Sequence, residues 1–265
     1  MSLNITNIET CDRTWNPFTG CLGPVEAGIW GPNALGRCPF CYAHRLARGR
    51  LRQRYLSHPH PLAGDSTDPF APRFWRELLT DPLTRHKPTK IFVVNMGDFC
   101  GWWVPRPFQE EVLDVERRTP QHTYQHFTKF GQELAKLNPW PRNAWVGISV
   151  SNQQMADAAL RHLDKVNARV KFLSIEPMLG PVRLPKDPPI NWLIVGAQTG
   201  PQLDTHYFGS PTDPPPETVR QWVYNLYVSL IPADIPIYMK KNLQMPYQLQ
   251  NWPETEKKGV VNHAN

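Results

Sequence analysis

Three of the chain's five cysteines are spaced so that they could share one piece of chemistry. Cys38 and Cys41 enclose two residues in "CPFC", and Cys21 ends "TWNPFTGC" sixteen residues upstream, a C-x16-C-x2-C pattern. Thiolates are the protein ligands of zinc and of iron–sulfur clusters. An odd number of cysteines in an intracellular chain argues against a disulfide framework. A Cys-x-x-Cys pair in a reducing compartment points instead to metal, cluster or thiol redox chemistry. A closed zinc site wants four ligands, and the nearest candidates for the fourth are His44 and Cys11. Three thiolates without a fourth suit a [4Fe–4S] cluster that leaves one iron open to a non-protein ligand. Cys11 and Cys100 read first as buried thiols. Cys100, in "GDFCGWWVP", is also a candidate spare ligand or hydrogen-atom donor. Its neighbours Trp102 and Trp103 suit either core packing or stacking on a base.

A second set of reactive side chains recurs at the ends of apolar runs. These are Asn95 and Asp98; Thr128 and Lys129; Ser149, Ser151 and Asn152; Ser174 and Glu176; Gln198 and Thr199; Lys240 and Lys241. Each has a plain local explanation, such as helix capping for Asn152 or a turn for Asp98. Their recurrence after six successive runs favours a shared site, because ligands of parallel α/β folds bind at the C-terminal edge of the sheet.

The elements that must position these groups follow from periodicity. Runs at 90–98, 122–130, 144–152, 170–178, 191–198 and 235–241 are nearly continuous in apolar residues, as in strands buried on both faces. Between them, 107–119, 152–166 and 216–230 place apolar residues at helical spacing. Strand–helix alternation predicts an α/β fold with mostly parallel strands, a partial or complete (β/α) barrel. A single domain over 1–248 is expected, with a Gly/Pro-rich insertion at 22–37 and a polar tail at 249–265. The Pro-rich stretches 185–190 and 210–217 read as rigid surface connections.

The chain has 265 residues, 29 Lys and Arg against 23 Asp and Glu, and a net charge of +6. That balance permits a polyanionic partner without requiring one. Arg37, Arg45, Arg48, Arg50, Arg52 and Arg54 cluster beside the cysteine pair, either as a solvated helix face or as phosphate contacts. No apolar run reaches the ~18 residues of a membrane span, and the N-terminus lacks a basic-then-apolar leader, so a cytoplasmic protein with no membrane partner is expected.

The stretches "TWNPFTGC", "CPFCYAHRLA", "KIFVVNMGD", "TPQHTYQHFTKF", "WVGISVSNQ", "FLSIEPMLGPV" and "NWLIVGAQTGP" resemble, in order, a phage and bacterial family of three-cysteine-motif proteins. That family is itself similar to radical S-adenosylmethionine (SAM) enzymes. The resemblance covers roughly residues 8–242. It implies a radical-SAM-type barrel, a [4Fe–4S] cluster on Cys21, Cys38 and Cys41, and SAM on the open iron. Phe40 takes the aromatic position before the last cysteine, while the long first spacing departs from the usual motif. Asn95, Asp98, Ser149, Ser151, Asn152 and Glu176 become cofactor-binding candidates. Glu176, Lys129 and Cys100 become catalytic candidates. The implied activity is reductive cleavage of SAM to start radical chemistry, fed by a one-electron donor protein, on a substrate of the nucleic-acid or nucleotide class. The alternative is a non-catalytic nucleic-acid-binding protein stabilised by zinc or a cluster.

Overall fold

The computed structural model describes residues 3–23, 38, 40–198 and 216–253. Most of the 22–37 insertion, Arg37, Thr199, the 210–215 proline stretch and residues 254–265 lie outside that set. An eight-stranded sheet organises the molecule, in the order β1-β2-β5-β6-β7-β8-β9-β10. Its strands are β1 (Asn4–Ile5), β2 (Arg13–Trp15), β5 (Lys90–Val93), β6 (Thr123–Thr128), β7 (Ala144–Val150), β8 (Val170–Ile175), β9 (Trp192–Val195) and β10 (Ile237–Met239). β1 runs antiparallel to β2, and from β2 onward every pairing is parallel. A two-stranded piece, β3 (Phe18–Thr19) with β4 (Arg73–Phe74), is inserted between β2 and β5. The same excursion carries the short helices α1 (Tyr42–Arg48) and α2 (Arg52–Leu56).

Period-two alternation divides the strands into two faces with different contents. One face of each strand joins the main core: Ile91 and Val93, Val146 and Ile148, Leu173 and Ile175, Leu193 and Val195, Ile237 and Met239. Against it pack α3 (Arg106–Arg118), α5 (Gln153–Leu163) and α6 (Pro216–Leu230) through stripes such as Val112, Ala159 and Val223. The four-residue α4 (Gly131–Leu134) follows β6, and the link from β8 to β9 carries no helix. The opposite face is filled by the sheet's own aromatic rings: Trp145, Phe172, Trp192 and Tyr238, with Phe127 and Trp252 against them. Gly147 makes room for this layer, since a Cβ there would sit 2.1 Å from the Phe172 ring.

Contacts between strands far apart in the sheet order show that it curls. Lys90 on β5 places its Nζ 4.5 Å from the centroid of Trp252, which follows β10. The Tyr238 hydroxyl on β10 donates to the Glu9 carbonyl, between β1 and β2 (3.2 Å). Among the described residues no ladder joins β10 to β1 or β2, so these contacts are made by side chains across an open seam.

Residues 249–253, the described part of the polar tail, pack against the sheet. Gln250 bridges Tyr238 in antiparallel fashion, Met239 N donates to Leu249 O, and Trp252 stacks on Trp192 at 5.2 Å. One large aromatic ring in a polar segment is enough to anchor it. No helix among the described residues is long and apolar enough to cross a membrane.

Candidate functional site

Cys21 is fixed by close backbone approach. Gly20 (φ +85) lies where a Cβ would sit 2.5 Å from Ala71 O, and its N–H donates to Met96 O (2.8 Å). A Cβ on Gly97 would in turn meet Gly20 O at 2.6 Å, so both positions need glycine for steric reasons. Cys21 N then donates to Phe70 O at 3.1 Å. The loop presenting Phe70 is held by Arg73, which is fully buried. Its guanidinium donates to the carbonyls of His58, Ser66, Asp68, Pro69 and Ala71.

Cys38 and Cys41 are joined by a turn in which Cys41 N donates to Cys38 O (3.0 Å). Cys41 is the N-cap of α1, and its Sγ accepts from His44 N at 3.4 Å, next to the positive end of the helix. The next residue, Tyr42, donates its hydroxyl to Asn95 O (2.6 Å), tying α1 to the end of β5. There the chain turns through Val94 at φ 60, a conformation a β-branched residue rarely adopts. Asn16 Nδ2 donates to Asn95 Oδ1 (2.8 Å) and completes the junction.

All three thiols open onto one cavity of about 460 Å³ at the C-terminal ends of the parallel strands. Of the candidates, Phe40, Asn95, Asp98, Lys129, Ser149 and Glu176 also line it. Cys100, Ser151 and Asn152 do not. Cys100 is 1% exposed and packed in the main core. Ser151 is buried, and Asn152 caps α5 by accepting from Met155 N (3.0 Å). Cys11 is buried away from the cavity as well.

The electrostatics centre on Asp98 and Lys129. Asp98 is buried and accepts from Thr128 Oγ1 (2.6 Å), Lys129 N (3.0 Å) and Cys100 N (3.0 Å). Burial outweighs those bonds and holds its carboxyl above the ordinary range. Burial pushes Cys38 up to about 11, against the pull of Lys129, and lifts Cys21 well above a free thiol, with Asp98 adding to it. Burial opposes the charge on Lys129, yet the facing Cys38, Asp98, Cys41 and Cys21 raise its pKa overall. Its ammonium lies 5.8 Å from the Phe40 ring centroid.

In the same cavity, Lys240 Nζ meets both oxygens of Glu176 at 2.6 Å. Their side chains are 14% and 27% exposed. Lys240, Tyr42 and Asn242 line the cavity in addition to the named candidates. Lys240 carried a signal as a strand-end lysine, and Tyr42 as the residue after the last cysteine. Asn242, which holds Ala197 through both its Oδ1 and its Nδ2, carried none.

Among the described residues no group of three His, Cys, Asp or Glu is arranged around one metal ion. Ligands of a single zinc at about 2.3 Å must crowd together. Three thiols on one cavity are a donor set that an iron–sulfur cluster takes. The donor set and the cavity, which falls in the ~300–1,000 Å³ range of small-molecule sites, fit a cluster with an organic cofactor beside it.

Solved structures of spore photoproduct lyase share this fold. One complexed with dinucleoside spore photoproduct has a TM-score of 0.52 at 10% identity, covering 90% of this chain and 78% of that one. A tyrosine-to-phenylalanine mutant gives 0.52 at 8% identity with the same coverage. A cysteine-to-alanine mutant with dinucleoside spore photoproduct gives 0.49 at 9% identity, and the chain spans 57% of its length. No curated protein matches the sequence. Residues 5–207 match the family described as "Protein of unknown function (DUF5131)", and the chain belongs to that family.

Proposed function

We propose that the protein is a radical-SAM-type enzyme with a [4Fe–4S] cluster on Cys21, Cys38 and Cys41 and SAM in the adjoining cavity. The observation that carries this reading is the meeting of three thiols on one cavity, over the C-terminal ends of parallel strands. When bound, the pair would supply one-electron reductive cleavage of a sulfonium C–S bond.

The chain's own residues would bind, orient and exclude water. Asp98 and the Asn95 junction offer acceptors for an ammonium, and Lys129 offers a cation for a carboxylate. Ser149 and Ser174 offer hydroxyls to a ribose. The aromatic layer beneath, from Phe92 and Phe127 inward, closes the floor to water. Glu176 and Lys240, which line the same cavity, would meet the substrate. A nucleic-acid or nucleotide substrate is the class favoured by the positive net charge, and a lyase of like fold is complexed with a dinucleoside.

Anaerobic reconstitution with iron and sulfide tests the reading. A brown chain with about four irons and an absorption or spin-resonance change on adding SAM is expected. A colourless chain with one tightly held zinc would sink it and leave the nucleic-acid-binding alternative.

A further inference from the structure

The surface of α1 and α2 carries dense charge of one sign. Arg45, Arg48, Arg50, Arg52 and Arg54 are all exposed, and no acidic residue occurs between Cys38 and Gly64. Five positive charges against none, in a chain whose net charge is +6, place nearly the whole imbalance here. Some exposed cations elsewhere sit beside carboxylates, such as Arg76 with Glu111, Arg117 with Glu110 and Lys136 with Glu133. Among the described residues none of these five arginines has such a partner. Mutual repulsion on so short a segment is unfavourable unless an anion is there to relieve it.

The face starts at the cavity. Tyr42 lines the cavity and is 41% exposed, and Ala43 and Ala47 turn inward at i, i+4 spacing. Tyr42, Arg45 and Arg48 therefore form the outward row, leading away from the mouth over the ~10 Å of a seven-residue helix. Arg50, Arg52 and Arg54 extend the charge beyond it.

We propose that this arginine face docks the phosphodiester backbone of a single-stranded nucleic acid and leads one of its bases to the cavity. All five cations are arginines, whose planar fork suits phosphate oxygens. A single strand fits because a base must leave its stack to enter the cavity. An anionic membrane fits poorly, since a surface helix needs an apolar wedge. Among the described residues of 38–64 the one large exposed apolar side chain is Tyr42. The direction of the strand rests on the reading of the cavity given above, and the charge argument does not.

The test is fluorescence anisotropy of the full chain with a labelled single strand of about 15 nucleotides over a salt series, without SAM or reductant. Affinity should fall steeply with salt. The combined Arg45→Gln, Arg48→Gln, Arg52→Gln variant should lose about 2 from the log–log salt slope, at about 0.7 per phosphate contact, and weaken binding roughly equally for all sequences. Arg117→Gln with Arg118→Gln on α3 should change neither. No binding by the wild type at low salt, or an unchanged slope in the triple variant with native circular dichroism, overturns the proposal. So does tighter capture by phosphatidylserine vesicles or polyglutamate than by the oligonucleotide. Iron content is measured separately, so failure of docking and failure of the cluster reading are told apart.

Discussion

The two ends of the same strands do different work. At their N-terminal ends the inward positions carry Trp145, Phe172, Trp192 and Tyr238, and the space is filled by rings in contact with rings. Two positions further along, the same face carries Gly147 then Ser149, Ser174 then Glu176, and Lys240. The backbone ladder runs unbroken from one end to the other, with Gly147 opposite Phe172 and Ser149 opposite Ser174. Only side-chain size and polarity change. A floor of rings gives stability and keeps water out, and a rim of small polar groups leaves room for a ligand. The thiols are supplied to that rim by an excursion outside the sheet, so loss of a rim ligand should spare the floor.

The largest expected effect is on the rim. Cys38→Ala should take iron after reconstitution from about four per chain to well below one, while thermal unfolding moves little. Iron retained at wild-type levels would break the assignment of the cluster to this end. The next effect is on the floor. Phe172→Ala should cost about 3–5 kcal/mol in urea unfolding, because it opens a cavity among rings that cannot collapse onto it. Gly147→Ala should cost about 1–3 kcal/mol by driving a methyl group into the Phe172 ring. If either folded variant lost iron as completely as Cys38→Ala, the two ends would not be separable.

The floor and its helices were largely legible in the sequence, because burial of a strand or a helix stripe writes a period into the residues themselves. The expected helix at 107–119 appears as Arg106–Arg118, and the run at 170–178 as the strand Val170–Ile175. The strands end before their apolar runs do, and the residues just past them, such as Glu176 and Lys129, line the cavity. The rim was legible only where chemistry is concentrated in one residue type, as in the cysteines. Tyr42 and Asn242 were missed because their roles depend on where distant loops cross. Ser151 and Asn152 sit at the end of β7, but the turn into α5 takes Asn152 for its cap and buries Ser151. Nothing in their types distinguishes them from Ser149. The open seam between β10 and β1 was likewise invisible, because it is spanned by single side chains such as Tyr238 and Trp252 rather than by a repeating pattern.

A smaller effect tests whether the rim's charges are coupled. Lys240→Met strands the Glu176 carboxylate in a partly buried position. It should cost about 1–2 kcal/mol, between the values for exposed and buried pairs. Glu176→Gln added to it should return part of that loss, because the uncompensated charge is gone. Additive single-mutant effects in a double-mutant cycle would show that the 2.6 Å contact holds nothing in solution.

The smallest effect separates the two ends by pH. His122, just before β6 and so at the floor end, is buried with its Nε2 3.3 Å from Pro82 O. Burial lowers its pKa below the ordinary 6.5. In that case the unfolded chain takes up a proton that the folded chain refuses. Stability is then full above pH ~6.5 and is lost as pH falls through the lowered folded value. Asp98 at the rim has the opposite sign. Its carboxyl is raised by burial, so its contribution is present below the unfolded value of 3.8 and is lost as pH rises through the folded one. The difference in urea midpoints between wild type and a His122 variant, from pH 7 to pH 5, isolates the histidine, because the contribution of Asp98 is common to both chains. His122→Gln keeps a donor for Pro82 O and should flatten the decline across it. An equal decline in wild type and variant would mean that the floor titrates as if exposed, and the sealed end of the comparison would have to be given up.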